Sequence, residues 1–129
     1  GKVRGLVFSS AADGAAWYLR IMTNADQSAG QKADRSHELR NVTIKANGTT
    51  LDISEINYHQ EIKQGRSLCK ASAVGALIPD GSDVVIDFEL EDGYTRRDTL
   101  RNVRRAGKDQ YTCLSIEWGD YQHGGKQTP

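Results

Sequence analysis

Apolar and polar residues alternate along much of this 129-residue chain. The clearest case runs from residue 83 to residue 91, where every second side chain is apolar: Val84, Ile86, Phe88 and Leu90. Successive side chains of a β-strand point to opposite faces, so an alternation with a period of two predicts a strand with one buried face. We therefore expect a half-buried strand in this segment.

A β-hairpin is predicted around Asn47-Gly48. An Asn-Gly pair favours a type I′ turn, because both central residues of that turn take a positive φ. With the pair at the tip, Lys45 faces Thr50 on the polar side of the hairpin. The opposite, apolar side of the predicted hairpin carries Val42, Ile44, Leu51 and Ile53.

Further strands are predicted in residues 2–9, 15–23, 55–63, 67–77, 94–100 and 111–118, separated by turn-forming residues. Residues 98–106 also fit a short helix, because Leu100 and Val103 are three positions apart and Gly107 would end it. The predicted fold class is all-β: an antiparallel β-sandwich, immunoglobulin-like or barrel-like, of about seven to eight strands, with a short helix near 98–106 as an option. Residues 1–118 are expected to form one domain, and residues 119–129, which lack core residues, a flexible tail.

The composition, 37% hydrophobic and 26% charged, is typical of a folded domain. Apolar runs stay far below the ~20 residues of a membrane span, so we expect no membrane insertion. The chain starts at Gly1 without an initiator methionine, which suggests a cleaved leader or a truncated chain. The predicted location is therefore periplasmic or extracellular.

Two cysteines, Cys69 and Cys113, lack the spacing of a zinc site. In an exported protein such a pair predicts one disulfide, whereas two buried thiols would fit a cytosolic protein. The stretches "LCKAS" and "DQYTC" around them resemble the cysteine strands of immunoglobulin domains. No tryptophan lies between them, so the family is not assigned. We take from the resemblance a bridge joining the two layers of a sandwich.

Charge is balanced overall, with 17 basic and 17 acidic residues, but it is segregated locally. All charged residues in segment 83–93 are acidic. Segment 94–108 contains six basic residues and one acidic residue, Asp98. The neutral total and the scarcity of aromatics among these bases argue against a nucleic-acid partner. We call Asp87, Glu89 and Glu91, which share one face of the predicted strand, the acidic stripe.

The acidic stripe has three interpretations. It is a solvated face paired with Arg96 and Arg97, a surface for a partner, or a metal or catalytic site. A two-residue turn at Asp92-Gly93 would set Glu89 opposite Arg96, but it would also oppose two carboxylates, so a bulge could shift the register. Asp80 and Asp83 in the preceding turn add oxygen ligands, so calcium is kept as an option.

Candidate residues for catalysis are few. The chain has no G-x-S-x-G motif and no phosphate-binding glycine loop. His59 and Glu61 share a predicted strand face and could form half of a metal or acid–base site, although a solvated face explains them more simply. We therefore assign no catalytic residue, metal or cofactor.

The function expected from the sequence is protein–protein binding by a small exported β protein that is not an enzyme, in particular an inhibitor or immunity protein against a secreted toxin or enzyme. The predicted partner-binding residues are Asp87, Glu89, Glu91, Arg96 and Arg97. One alternative is a carbohydrate or small-ligand binding module or adhesin domain, with an aromatic platform drawn from Trp17, Tyr18, Trp118 and Tyr121. A hydrolase is the other alternative.

Overall fold

The computed structural model describes residues 3–9, 16–22 and 35–123. Every regular element in these residues is a β-strand, and every pairing is antiparallel. The predicted all-β class is confirmed. The strands are β1 (Val3–Ser9), β2 (Ala16–Met22), β3 (Arg35–Ala46), β4 (Thr49–Thr50), β5 (Ile53–Lys63), β6 (Arg66–Gly75), β7 (Ser82–Leu90), β8 (Tyr94–Gly107), β9 (Gln110–Thr112), β10 (Ser115–Glu117) and β11 (Gln122–His123).

The strand pairings form a closed circle. They run in the order β1-β2-β5-β6-β9-β8-β7-β3, and β3 pairs back with β1 through Val3 opposite Leu39. Among the described strands β8, with 14 residues, is the longest. It pairs with β7 along one side and with β9, β10 and β11 in succession along the other.

The core lies on the inner side of this circle. Along β7 the burial alternates strictly, as the sequence predicted, with Ser82, Val84, Ile86, Phe88 and Leu90 buried. Ile56 and Tyr58 of β5, Leu100 and Val103 of β8, and Tyr111 of β9 are buried with them in a single apolar cluster. Small residues of β6, Ala71 and Ala73, lie opposite Tyr58 and Ile56 in the register.

The helix considered for residues 98–106 is not formed, because these residues belong to β8. The spacing of Leu100 and Val103 has a different origin. On β7, Val84 faces Leu100 and Ser82 faces Val103, so β8 carries one extra residue in this interval. Asn102, with a φ of 51°, lies in this bulge. The bulge returns both apolar side chains to the core, and it produces the three-residue spacing that suggested a helix.

The predicted hairpin tip is confirmed. Asn47 and Gly48 have φ values of 50° and 86°, and Lys45 faces Thr50. The predicted continuation of this ladder to Val42 and Ile53 is wrong. β4 ends at Thr50, and Ile53 begins β5, which pairs with β2 and β6 instead.

The turn between β7 and β8 is one residue longer than the sequence predicted. It comprises Glu91–Gly93, with Gly93 at a φ of 92° and its N–H donating to the Leu90 carbonyl over 2.9 Å. Glu89 therefore faces Thr95 rather than Arg96. The shift places Asp87 opposite Arg97, which replaces the unfavourable facing of two carboxylates by an ion pair.

The predicted disulfide between Cys69 and Cys113 is present. It does not join two layers, as we expected, but two neighbouring strands of one sheet. Lys70 of β6 faces Thr112 of β9, the Cys113 N–H donates to the Cys69 carbonyl, and the two Cα atoms are 5.1 Å apart. The bridge lies where the chain leaves β6 and continues along β8 as β10.

Reduction of this disulfide should lower the free energy of unfolding by about 4 kcal/mol, because it releases a 44-residue loop in the unfolded chain. Urea denaturation of the oxidised and the reduced protein measures the difference. Reduction removes no heavy atom, so it creates no cavity of the kind that a substitution of Cys69 would leave. A difference below about 1 kcal/mol would show that the loop constraint does not stabilise the fold.

Candidate functional site

Asp98 is the centre of a buried polar network. Its side chain is fully buried, on the core side of β8 opposite Ile86. Its carboxylate accepts hydrogen bonds from the Tyr58 hydroxyl (2.6 Å), from Nε and Nη2 of Arg96 (2.8 and 3.0 Å) and from the Gly119 N–H (2.8 Å). A buried carboxylate needs such a set of donors, because burial removes it from water.

The guanidinium of Arg96 lies among three aromatic rings. Its central carbon is 5.6 Å from the Phe88 ring centroid, 5.7 Å from that of Trp118 and 5.0 Å from that of Tyr121. Trp118 also stacks on Tyr58, with the centroids 5.5 Å apart. The Arg96 side chain is only 9% exposed, so these cation–π contacts are largely desolvated, the condition in which each contributes most, up to about 2 kcal/mol. We call Arg96, Asp98 and the three rings the Arg96 cage.

The local sequence sets this arrangement through strand alternation. Positions 96, 98 and 100 face the core, whereas Arg97 between them is 67% exposed. Cross-strand pairing then places Arg96 directly opposite Phe88. Gly119 lets the chain approach β8, because a Cβ atom at this position would collide with the Arg97 carbonyl oxygen.

The network raises the pKa of both Tyr58 and Arg96, for different reasons. Burial raises the pKa of Tyr58 well above its usual 10.0, and the charge of Asp98 and its hydrogen bond raise it further. For Arg96, burial acts to lower the pKa, but the hydrogen bonds and charge of Asp98 outweigh it and the pKa is raised. Tyr58 therefore stays neutral, and Arg96 stays charged, under ordinary conditions.

A cleft of about 520 Å³ opens beside the Arg96 cage. This volume lies within the range of ligand-binding clefts, ~300–1,000 Å³. Four of the five predicted partner-binding residues, Asp87, Glu89, Arg96 and Arg97, line it, and Glu91 does not. The remaining lining residues are Asn41, Phe88, Thr95, Gly119, Asp120 and Gln122.

Each carboxylate of the acidic stripe has a partner within the chain. Asp87 accepts two hydrogen bonds from Arg97, over 2.7 and 3.1 Å, and Glu89 accepts one from the Asn41 amide over 2.7 Å. Glu91 accepts from the backbone N–H of Glu38 (3.0 Å), and its Oε1 is 2.8 Å from Nδ1 of His37. The hydrogen bond from the Glu38 backbone, and to a smaller extent the contact with His37, hold the pKa of Glu91 below its usual value. The stripe is thus fixed in position, with Glu91 attached to β3.

The segregated charges meet across the β7–β8 hairpin. Besides the pair of Asp87 and Arg97, Arg101 binds Asp83 (3.0 Å) and both oxygens of Glu117 (2.9 Å each). The pKa of Asp83 is lowered by a hydrogen bond from the Asn102 N–H and then by Arg101. Much of the local charge imbalance in the sequence is therefore paired within the fold.

The other candidates from the sequence do not converge on a second site. His59 and Glu61 share a strand face, as predicted, with 2.9 Å between Nε2 and Oε1. The residues with described placement contain no group of three or more side chains that could hold a metal ion. Trp118 and Tyr121 face Arg96, and the side chains of Trp17 and Tyr18 lie outside the described residues.

Sequence reasoning missed Tyr58, Asp98, Gly119 and Asn41 as members of the site. Asp98 alone carried a usable indication, since it lies two positions before Leu100 on what is the core side of a strand. An acid at a core position of a strand requires a buried donor, and Arg96, two positions earlier, is on the same face. Tyr58 lies 40 residues from Asp98, so no local pattern connects the two.

Comparison of the chain with protein-family models, with curated proteins and with solved structures finds no match. None of the described residues forms a helix long and apolar enough to cross a membrane. The function is therefore inferred from the geometry of the cleft and of the Arg96 cage.

The raised pKa of Tyr58 predicts a loss of stability at alkaline pH. Above about pH 10 this tyrosine ionises in the unfolded chain but not in the folded protein, so its contribution to stability falls as the pH rises toward the folded pKa. Tyr58 alone should lower the free energy of unfolding by up to about 1.4 kcal/mol per pH unit in this window. Urea denaturation at several pH values between about 9 and 11 measures the slope.

Tyr58→Phe should be less stable than the wild type near neutral pH, because Asp98 loses a donor, and should show a flatter alkaline slope. Tyr94→Phe is the matched control, because Tyr94 is exposed and lies against His123 at the edge of the sheet. If the free energy of unfolding falls equally steeply with alkaline pH in Tyr58→Phe and in the wild type, Tyr58 is not the group responsible.

Proposed function

We propose that this protein acts by binding a second protein through the face of the β7–β8 hairpin that contains the cleft. The observation that carries the proposal is the convergence of Asp87, Glu89, Arg96 and Arg97 on one cleft of about 520 Å³. A cleft with fixed polar groups can receive an anchor side chain of a partner protein.

The preorganisation of the charged groups supports recognition rather than simple solvation. Arg97 and Asp87 hold each other through two hydrogen bonds, and Asn41 holds Glu89. Side chains that are already ordered lose little conformational entropy when a partner arrives, so more of the contact energy remains for affinity. Fixed charges on a rigid face also favour fast and selective association.

The frame behind the cleft supports the same proposal. The circle of strands is cross-linked by the disulfide, and the residues behind the cleft belong to the buried network of Asp98. A small rigid domain of this kind suits an inhibitor or an immunity protein, which presents a preformed surface to an enzyme or toxin. We propose a non-enzymatic role of this type in the periplasm or outside the cell, where disulfides persist.

Reversing the charge of Glu89 and measuring the association rate tests the proposal. The partner is first captured with immobilised wild-type protein from the periplasmic or extracellular fraction of the source and is identified. We expect Glu89→Lys to slow association with that partner by about threefold to tenfold at low ionic strength, with the difference shrinking as salt is added. Stopped-flow or surface-based kinetics measures the rate.

Glu89→Gln separates charge from structure, because the amide oxygen can still accept the hydrogen bond from Asn41. It should give an intermediate association rate and an unchanged melting temperature. Glu91 is avoided as a test position, because it also binds the Glu38 backbone and His37. Asp52→Lys, an equal charge reversal at an exposed residue that does not line the cleft, is the control. If Glu89→Lys and Asp52→Lys change the rate equally, the cleft is not the binding face.

A further inference from the structure

One wall of the cleft is formed by the end of the described chain. Gly119, Asp120 and Gln122 line this side, and residues of β7 and β8 line the other. We call residues 118–123 the C-terminal wall. Residues 119–123 lie against β8.

The regular pairing of the C-terminal wall with β8 is short. β11 contributes two residues, which face Thr95 and Tyr94. A long hydrogen bond of 3.4 Å joins the Thr95 hydroxyl to the Gln122 carbonyl. So short a ladder is weak by itself, because isolated two-stranded pairing is marginal in water.

Stronger contacts join the C-terminal wall to the Arg96 cage. The Gly119 N–H donates to Asp98 Oδ1 over 2.8 Å, and the rings of Trp118 and Tyr121 lie over the Arg96 guanidinium. Arg96 itself is fixed by two hydrogen bonds to the buried Asp98. Its neighbour Arg97 has the same charge but points outward and pairs with Asp87, so it makes none of these contacts.

We propose that Arg96 is the latch that holds the C-terminal wall against β8, and that this wall is a separately opening part of the binding cleft. Arg96 acts as a positioning residue, since its guanidinium is engaged by Asp98 and the rings. Closure is cooperative, because each contact orders the group that makes the next one. Asp98 fixes the guanidinium of Arg96, which in turn fixes the rings of Trp118 and Tyr121. An open wall widens the cleft and uncovers Trp118, whereas a closed wall completes the surface described above.

The inferred latch has a consequence for recognition that rests on the proposed function. A partner seated in the cleft touches the closed wall, so it binds the closed state preferentially. Linkage then requires that binding suppress opening of the wall. The free protein tests the latch, and the complex tests the coupling, so the two can fail independently.

Hydrogen exchange measured by mass spectrometry on the free protein tests the latch. In Arg96→Met, which keeps an unbranched apolar stem but removes the guanidinium, we expect amides of residues 119–123 to exchange about tenfold faster than in the wild type. Arg96→Lys should lie between the two, because an ammonium keeps the charge but lacks the planar fork. Arg97→Met, the matched control, should change these amides by less than about twofold.

Amides of β5 and β6 should change less than those of residues 119–123 in all these variants. If Arg96→Met destabilises the whole fold, Tyr121→Leu becomes the variant that tests the latch. Tyr121 is 42% exposed, so its ring can be removed without opening the core. It should speed exchange in residues 119–123 alone. Unchanged exchange there in both variants, or equal loosening of β5 and β6 in both, would overturn the latch.

Hydrogen exchange in the complex tests the coupling between binding and closure of the wall. With the captured partner at saturation, exchange in residues 119–123 of the wild type should slow at least about tenfold. If these amides are unaffected while Glu89→Lys still slows association, the protein binds through the cleft but the wall takes no part, and the inferred coupling is wrong. If neither changes, the proposed function itself fails.

Discussion

The buried carboxylate of Asp98 is the constraint on which the arrangement of this end of the molecule depends. It lies on the core side of β8, and its lone pairs are satisfied by a tyrosine from β5, an arginine from its own strand and a backbone amide from the C-terminal wall. Removing one partner of such a buried pair typically costs ~3–5 kcal/mol, because the other charge stays buried without compensation. The network therefore requires that these three parts of the chain come together in one way. It also accounts for a glycine at 119, where the backbone must lie against Arg97.

Charge in this protein serves two purposes that the sequence does not separate. Arg96 and Arg97 are adjacent and chemically identical, yet one is enclosed by aromatic rings and the other is two-thirds exposed in an ion pair. The alternation of side chains along β8 determines which arginine is buried, since the core-facing positions include 96 and 98. The exposed pairs of the acidic stripe contribute little to stability, because solvent screens them. Their geometry is fixed by hydrogen bonds, whereas the buried Asp98 holds Arg96 in the lining of the cleft.

The elements predicted correctly are those determined by local chemistry. Alternation identified β7, the Asn47-Gly48 pair identified its turn, and the cysteines identified the disulfide. The errors occur where a single extra residue changes a register. The bulge at Asn102 imitates a helical spacing, and the third residue of the Glu91–Gly93 turn shifts by one position the facing pairs from Glu89–Thr95 to Val84–Leu100. Such shifts are selected by contacts across the sheet, as when Asp87 meets Arg97, and these contacts join residues whose approach no local pattern encodes. The same limit hid the pairing of Tyr58 with Asp98.

The position of the disulfide has a mechanical consequence. Cys113 is bonded to β6 at the point where the chain stops pairing with that strand and continues along β8. A force applied at the carboxyl end would peel β11 and then β10 from β8 one ladder rung at a time, and would next reach a covalent bond. Under oxidising conditions the tension then passes through the bridge to Cys69, so the segment between the two cysteines is bypassed and is not extended.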